Sequence, residues 1–132
     1  WEYMHDAIGF NYRMPNLNAA LACAQLEQLE DFVVNKRALT EEYIKFGSVH
    51  GLQFIKEPAD TSSNYWLNAL CLTDREERDT VLKKVNEAGV MCRPIWTLLH
   101  KMPMFKDSYH DSQSNAQWLE DRIVNLPSSV RV

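Results

Sequence analysis

Glycine is scarce in this chain, with four residues in 132. That leaves no glycine-rich loop to cradle phosphates with its own backbone, and no GxSxG nucleophile elbow is present either. Cysteine is scarcer still. Cys23, Cys71 and Cys92 are odd in number, widely spaced and without a CxxC pair. This excludes a disulfide framework and a zinc ribbon, and the thiols are expected free and buried in a reducing compartment. His5, His50, His100 and His110 stand apart with no HExxH or HxH spacing, so no metal site is expected. No apolar run reaches the roughly 18 residues of a membrane span, and no basic-then-apolar opening marks a secretory signal. Basic residues do not prevail: 14 Lys and Arg against 18 Asp and Glu give a net charge of −4. A general nucleic-acid binder, whose affinity comes from neutralising phosphates, is therefore not expected. The chain opens on Trp1 rather than Met, which reads as an excerpt of a longer polypeptide.

What is present is the balance of a soluble domain, 45% hydrophobic and 24% charged. Pro15 and Asn16 open a helical pattern in which Ala22, Leu26, Leu29 and Val33, then Leu39, Tyr43 and Phe46, recur at steps of three and four. With Gly47 as its stop, the pattern predicts one helix of about 30 residues, about 45 Å long, running between two bodies. Leu52–Ile55 is a short strand candidate. Asn64–Leu72 is a better one, apolar on both faces and so central or covered on both sides. Thr73-Asp74-Arg75-Glu76 reads as a capping box opening a helix, with Val81, Leu82, Val85 and Ala88 inward and Gly89 as its end. Val90–Arg93 returns as a strand that Pro94 cuts short. A loop rich in Met and aromatics follows, its Met102, Met104 and Phe105 expected as core filler. Ser114-Asn115-Ala116-Gln117 reads as a second capping box, opening a helix whose inner face is Ala116, Leu119 and Ile123. The order predicts an α+β sandwich with a mostly antiparallel sheet flanked by helices.

Two segments could carry chemistry. Gly9-Phe10-Asn11-Tyr12-Arg13-Met14 sets an amide, a phenol and a guanidinium just before a helix, donors suited to phosphate or carboxylate. The competing reading is a structural turn. Arg93-Pro94-Ile95-Trp96 through His100 places Arg, Trp and His on a strand-to-loop edge that could meet an anionic, ring-bearing ligand, or simply end a strand. Residues 1–14 are rich in aromatic and apolar groups without periodicity, and such a segment needs a partner surface.

These segments resemble one family. Gly9–Met14, followed by Asn18-Ala19-Ala20 and Gln25-Leu26-Glu27-Gln28-Leu29, is similar to the "GxNYRM…AA…QLxxL" stretch of the DegT/DnrJ/EryC1/StrS sugar aminotransferases. Arg93–Trp96 through His100 and Pro103-Met104-Phe105 resembles their "RPxW…H…P" stretch, and Ala116–Pro127 their closing helix and turn. The resemblance implies the small carboxy-terminal domain of a fold-type I aminotransferase. Residues 1–14 would be an interdomain, active-site loop segment and 15–132 the small domain, entered through a long interdomain helix. The cofactor domain with the Schiff-base lysine would lie outside this chain, which would then hold no catalytic residue and be inactive alone. The implied cofactor is pyridoxal 5′-phosphate. The implied partners are glutamate, a nucleotide-linked keto sugar and a second subunit, in a cytoplasmic homodimer that serves polysaccharide or glycan biosynthesis. Position by position, Asn11 matches the residue reaching the cofactor phosphate of the neighbouring subunit. Arg13 matches an arginine beside that neighbour's substrate site, with Tyr12 between them. Trp96 and His100 match positions near the nucleotide-sugar entrance. A pyridoxamine-phosphate sugar dehydrase of the same fold, or a non-catalytic dimerisation module, are the alternatives.

Overall fold

The structure is a computed structural model that describes residues 4–131. Its first departure from expectation is the long helix, which is two. Helix α1 spans Asn16–Leu26 and α2 spans Leu29–His50. At the break the Gln28 N–H donates to Gln25 O at 3.2 Å and the Gln28 side-chain amide to Ala24 O at 3.4 Å. α1 buries no residue, and Leu17, Leu21 and Leu26 stay exposed. The apolar repeat is continuous, yet only its second half has a sheet to lie on. The stop is also displaced. α2 runs past Gly47 to His50, and Gly51 ends it in the left-handed region at φ 70°. Gly47 is instead a packing residue, buried where α2 meets the strand that follows.

Four strands form one sheet in the order β1-β2-β4-β3, with every pair antiparallel: β1 Gln53–Phe54, β2 Asn68–Cys71, β3 Arg93–Pro94 and β4 Ile123–Leu126. β2 is central, and both its faces are covered. Leu70 and Leu72 join Phe54, Leu82, Cys92 and Val124 in the main core, against which Tyr43 and Ile44 of α2 and Val81 and Val85 of α3 pack. Cys71 and Ile123, paired in register, point to the opposite face and are also buried. Pro94 sits on edge strand β3, where its missing N–H costs no ladder bond. Cys71 and Cys92 are buried free thiols as expected, but Cys23 is exposed on α1.

Helix α3, Arg75–Glu87, begins one residue later than the capping box implied. Asp74 is the N-cap and accepts the Glu77 N–H at 2.9 Å, while Glu77 reaches back to the Thr73 N–H at 2.8 Å. Leu82 is its buried anchor, and Ala88 is exposed. The second capping box does not form. Helix α4, Ser114–Glu120, has Gln113 before it at φ 49° with no side-chain cap, and its one buried residue is Glu120. Leu119 is exposed, and Ile123 belongs to β4 rather than to the helix. That strand hid behind the four-residue step from Leu119 to Ile123, which reads equally as one more helical turn.

A buried polar node fastens the carboxy-terminal turn to this frame. Thr40 of α2 hydrogen-bonds Asn68 Oδ1 at 2.7 Å, and the Asn68 N–H donates to Ser128 Oγ at 2.7 Å. Beside it, the Lys36 ammonium donates to the backbone carbonyls of Ser128 and Trp66.

Candidate functional site

Residues 4–14 are exposed throughout. Asn11 Oδ1 accepts the Arg13 N–H at 2.8 Å, an Asx turn over Tyr12 that accommodates Arg13 at φ 72°. No ion pair among the described residues reaches the Arg13 guanidinium. The turn thus presents an amide and a guanidinium side by side to whatever approaches from outside the chain. Such a pair suits a phosphate or carboxylate.

Trp96 follows β3 and lines a cleft of 320 Å³. Its ring stacks on that of Trp66, with centroids 5.8 Å and planes 23° apart. Arg75, Arg78 and Arg93 share the cleft, and its lining includes no carboxylate. Arg78 is almost sealed: it donates to Asp79 Oδ1 from Nε at 2.9 Å and Nη2 at 2.6 Å, and to the Glu120 carbonyl from Nη1. Arg75 faces Asp121 at 3.6 Å. The loop after Trp96 hangs on the Glu120 carboxylate, which accepts from the Leu98 N–H at 3.2 Å, from Gln117 Nε2 at 2.9 Å and from Lys101. Burial alone would raise the Glu120 carboxyl; the Lys101, Leu98 and Gln117 donors outweigh it and hold it below the usual value.

Trp66 is held from behind. The Arg37 guanidinium forks onto Glu57 at 3.0 and 2.6 Å, and Glu57 Oε2 also accepts the Ser63 N–H at 2.6 Å. The Arg37 hydrogen bonds first, and the Ser63 amide second, pull the Glu57 carboxyl from its ordinary 4.5 to about 2. Tyr65 OH accepts the Glu57 N–H at 3.1 Å, and the Trp66 N–H donates to Asn64 Oδ1 at 3.0 Å. A depressed carboxyl stabilises the fold above its unfolded value and loses that contribution as pH falls through its folded value. Wild type should therefore lose stability between pH 4.5 and about 2, relative to a Glu57→Gln variant. Urea melts of both proteins across that range check it; a constant difference between them would show that Glu57 is not so held.

His100 lies elsewhere. Its ring lies 4.7 Å from that of His110, tilted by 31°, in a separate hollow with Leu98, Phe105 and Tyr109. The structure thus joins Trp96 with Trp66 rather than with His100, and Asn11, Tyr12 and Arg13 line neither space. The Thr97 hydroxyl donates to Met4 Sδ at 3.5 Å, a contact between the opening segment and the cleft rim. Trp66 falls inside the strand that the sequence predicts over Asn64–Leu72, whereas β2 begins only at Asn68. It lies in the turn before β2, where Asn64 as an Asx-turn residue is the signal that could have found it. Arg78 had no such signal, since an arginine on a charged helix normally stays in solvent.

The sequence matches the DegT/DnrJ/EryC1/StrS aminotransferase family over residues 1–132. It is 36% identical over 130 residues to the GDP-perosamine synthase of Escherichia coli O157:H7, covering 96% of this chain and 34% of that protein. It is 33% identical over 132 residues to the GDP-perosamine synthase of Vibrio cholerae, covering 96% of this chain and 35% of that one. Among solved structures, the E. coli GDP-4-keto-6-deoxy-D-mannose-3-dehydratase with bound hydrated PLP superposes at a TM-score of 0.76. At 22% identity, with 93% of this chain and 33% of that one covered, this likeness establishes the fold. The chain spans about a third of the length of these proteins. With its small antiparallel sheet, its flanking helices and the match along its whole length, the chain belongs to the DegT/DnrJ/EryC1/StrS aminotransferase family.

Proposed function

We propose that this chain is the small carboxy-terminal domain of a pyridoxal-phosphate aminotransferase. The whole enzyme would pass an amino group from glutamate to the keto group of a nucleotide-linked sugar, in a cytoplasmic homodimer. The observation that carries the reading is the family match over the full chain, joined by relatives at 33–36% identity that are named for a GDP-linked sugar. At 34–35% of those relatives' length, a lysine-bearing domain would account for the remainder. A sugar dehydrase is the second reading, favoured by the name of the superposed dehydratase. The residue at the Schiff-base position decides between the two.

The opening turn fits a phosphate-bearing cofactor, because among the described residues its donors have no carboxylate ion-pair partner. Pyridoxal phosphate, when bound, supplies the electron sink for amino transfer. Asn11 would donate its side-chain N–H to the phosphate in the neighbouring subunit. Arg13, beside it, would hold the anionic part of the sugar substrate against that same site, and Tyr12 would pack between them. Trp96 would contact the substrate from its own cleft, and His100 would act from its separate hollow.

The test is subunit mixing. Arg13→Ala removes a charge-assisted contact worth roughly 1.5–3 kcal/mol, so turnover should fall about 10- to 100-fold. A second variant lacks the Schiff-base lysine. If Arg13 acts in trans, the mixed dimer has one intact site and one with both defects, and about a quarter of wild-type activity returns at equal mixing. Mixed dimers that form and stay inactive would show that Arg13 serves its own subunit. A structural turn predicts lower stability with kinetics per folded dimer unchanged.

A further inference from the structure

Helix α4 gives its one buried position to a carboxylate. Glu120 is 6% exposed, while Leu119 beside it is 37% exposed and Trp118 48%. Packing alone favours the opposite choice, because taking a charge out of water is expensive unless partners answer it. Glu120 has such partners on three elements. Its backbone carbonyl accepts from Arg78 Nη1, which ties it to α3, and its carboxylate accepts from Gln117 Nε2 at 2.9 Å within α4. The two remaining donors are the Leu98 N–H, at 3.2 Å, and the Lys101 ammonium. Both belong to the segment that leaves β3 and returns as α4.

That segment, residues 98–113, has little else to hold it. Among the described residues its other hydrogen bonds are local. They close the short turns at Leu99–Lys101 and Pro103–Phe105, the Asx turn at Asp111 and the start of α4. Met102 is its one buried residue, and Lys101 to Glu120 is its one ion pair among the described residues. The His100 ring meets His110, which lies in the same segment. A stretch with few buried apolar groups and one polar anchor is the kind that opens locally while the sheet stays folded.

We propose that Glu120 is a positioning residue, a latch whose carboxylate fixes residues 98–113, His100 among them, in one place on the domain. Lys101 is the matching half, next to His100 in the chain, so the pair sets where that imidazole stands. Breaking the pair releases the segment as a unit and leaves the sheet intact. Glu120 itself touches no ligand. Its effect on substrate, through His100, rests on the aminotransferase reading above; the latch does not.

Amide hydrogen exchange on the intact protein, read residue by residue, tests the latch. In Glu120→Gln the Leu98, Lys101, Met102 and Phe105 amides should exchange about 10- to 100-fold faster, the factor that a charge-assisted hydrogen bond represents. The Leu72 and Ile55 amides, bonded to the Arg122 and Ala69 carbonyls at 3.0 and 2.9 Å, should keep their rates. Lys101→Met, a change at a partly exposed side chain, should act on the same four amides. The double variant should be no faster than the faster single one, since both remove one interaction. Lys106→Met, at an exposed lysine of the same segment, is the control and should change nothing. Equal acceleration of Leu72 and Ile55, or segment amides indifferent to both single variants, would overturn the proposal. In the whole enzyme, Glu120→Gln should raise the KM for the keto sugar with kcat kept, and should add nothing to His100→Ala. A further rise in the His100→Ala background would overturn the action through His100. Wild type without amino transfer, but with the expected exchange pattern, would remove the aminotransferase and keep the latch. Normal amino transfer with exchange indifferent to both variants would do the reverse.

Discussion

Replacing Leu82 by alanine is expected to lower stability by about 2–5 kcal/mol, toward the upper part of that range. Leu82 is 1% exposed and is the residue by which α3 enters the main core. Its neighbours there, Cys92 at 1% and Val124 at 0%, lie beside or on the sheet, whose hydrogen bonds resist collapse into a cavity. For a domain stable by about 5–15 kcal/mol, this is a large share. The denaturant midpoint should fall with an unchanged slope, because the same surface is exposed on unfolding. Leu82→Met, which nearly conserves volume, should cost less than about 1.5 kcal/mol. A loss below about 1 kcal/mol for Leu82→Ala would mean that α3 is not docked through this residue.

Gly47→Ala should also destabilise, against the usual rule for helices. An interior glycine is normally about 1 kcal/mol worse than alanine. Here a Cβ would stand 2.6 Å from Phe54 Cδ2 and 2.7 Å from the Leu52 carbonyl oxygen. The first neighbour is a core ring and the second is backbone, itself tied down because the Leu52 N–H donates to Gly47 O at 2.9 Å. Neither can yield cheaply, so a net loss of about 1–3 kcal/mol is expected from overpacking. Gly9→Ala, where a Cβ would meet nothing within 4 Å, is the control and should leave thermal stability unchanged. A Gly47→Ala protein more stable than wild type would show that α2 and β1 are not in this close approach.

The two glycines of α2 show where reading from sequence reaches its limit. The sequence predicts Gly47 as the helix stop, and the structure gives that place to Gly51. Propensity cannot tell which takes the left-handed cap and which makes room for a ring, because Phe54 lies across the connection. The same limit applies to α1 and α2. The three-four repeat continues through Glu27 and Gln28, but a helix persists where its apolar face is covered, and only α2 has the sheet beneath it. Ile123, predicted on the inner face of the last helix, belongs to β4 for a related reason. Ile123–Leu126 is four residues long, too short for its own period to declare itself, and only pairing with β2 and β3 makes it a strand.

The candidate site divides along the same line. The donor-rich turn at Asn11–Arg13 was legible because its chemistry is contiguous: three residue types in a row before a proline-started helix. Trp66 and Trp96 are thirty positions apart, on a turn and at the end of an edge strand, and nothing local announces that their rings meet. His100 is four residues from Trp96 and yet faces another hollow, since the loop between them is drawn down onto Glu120. By itself the sequence determined the fold class, the central strand, the helix over Arg75–Glu87 and the donor-rich segment. All of these depend on residues close in the chain. The tertiary structure alone decided the helix break, the central place of β4, the role of Gly47 and the aromatic cleft. Each of those is a contact between distant segments, whose free energy exists only once the sheet has brought them together.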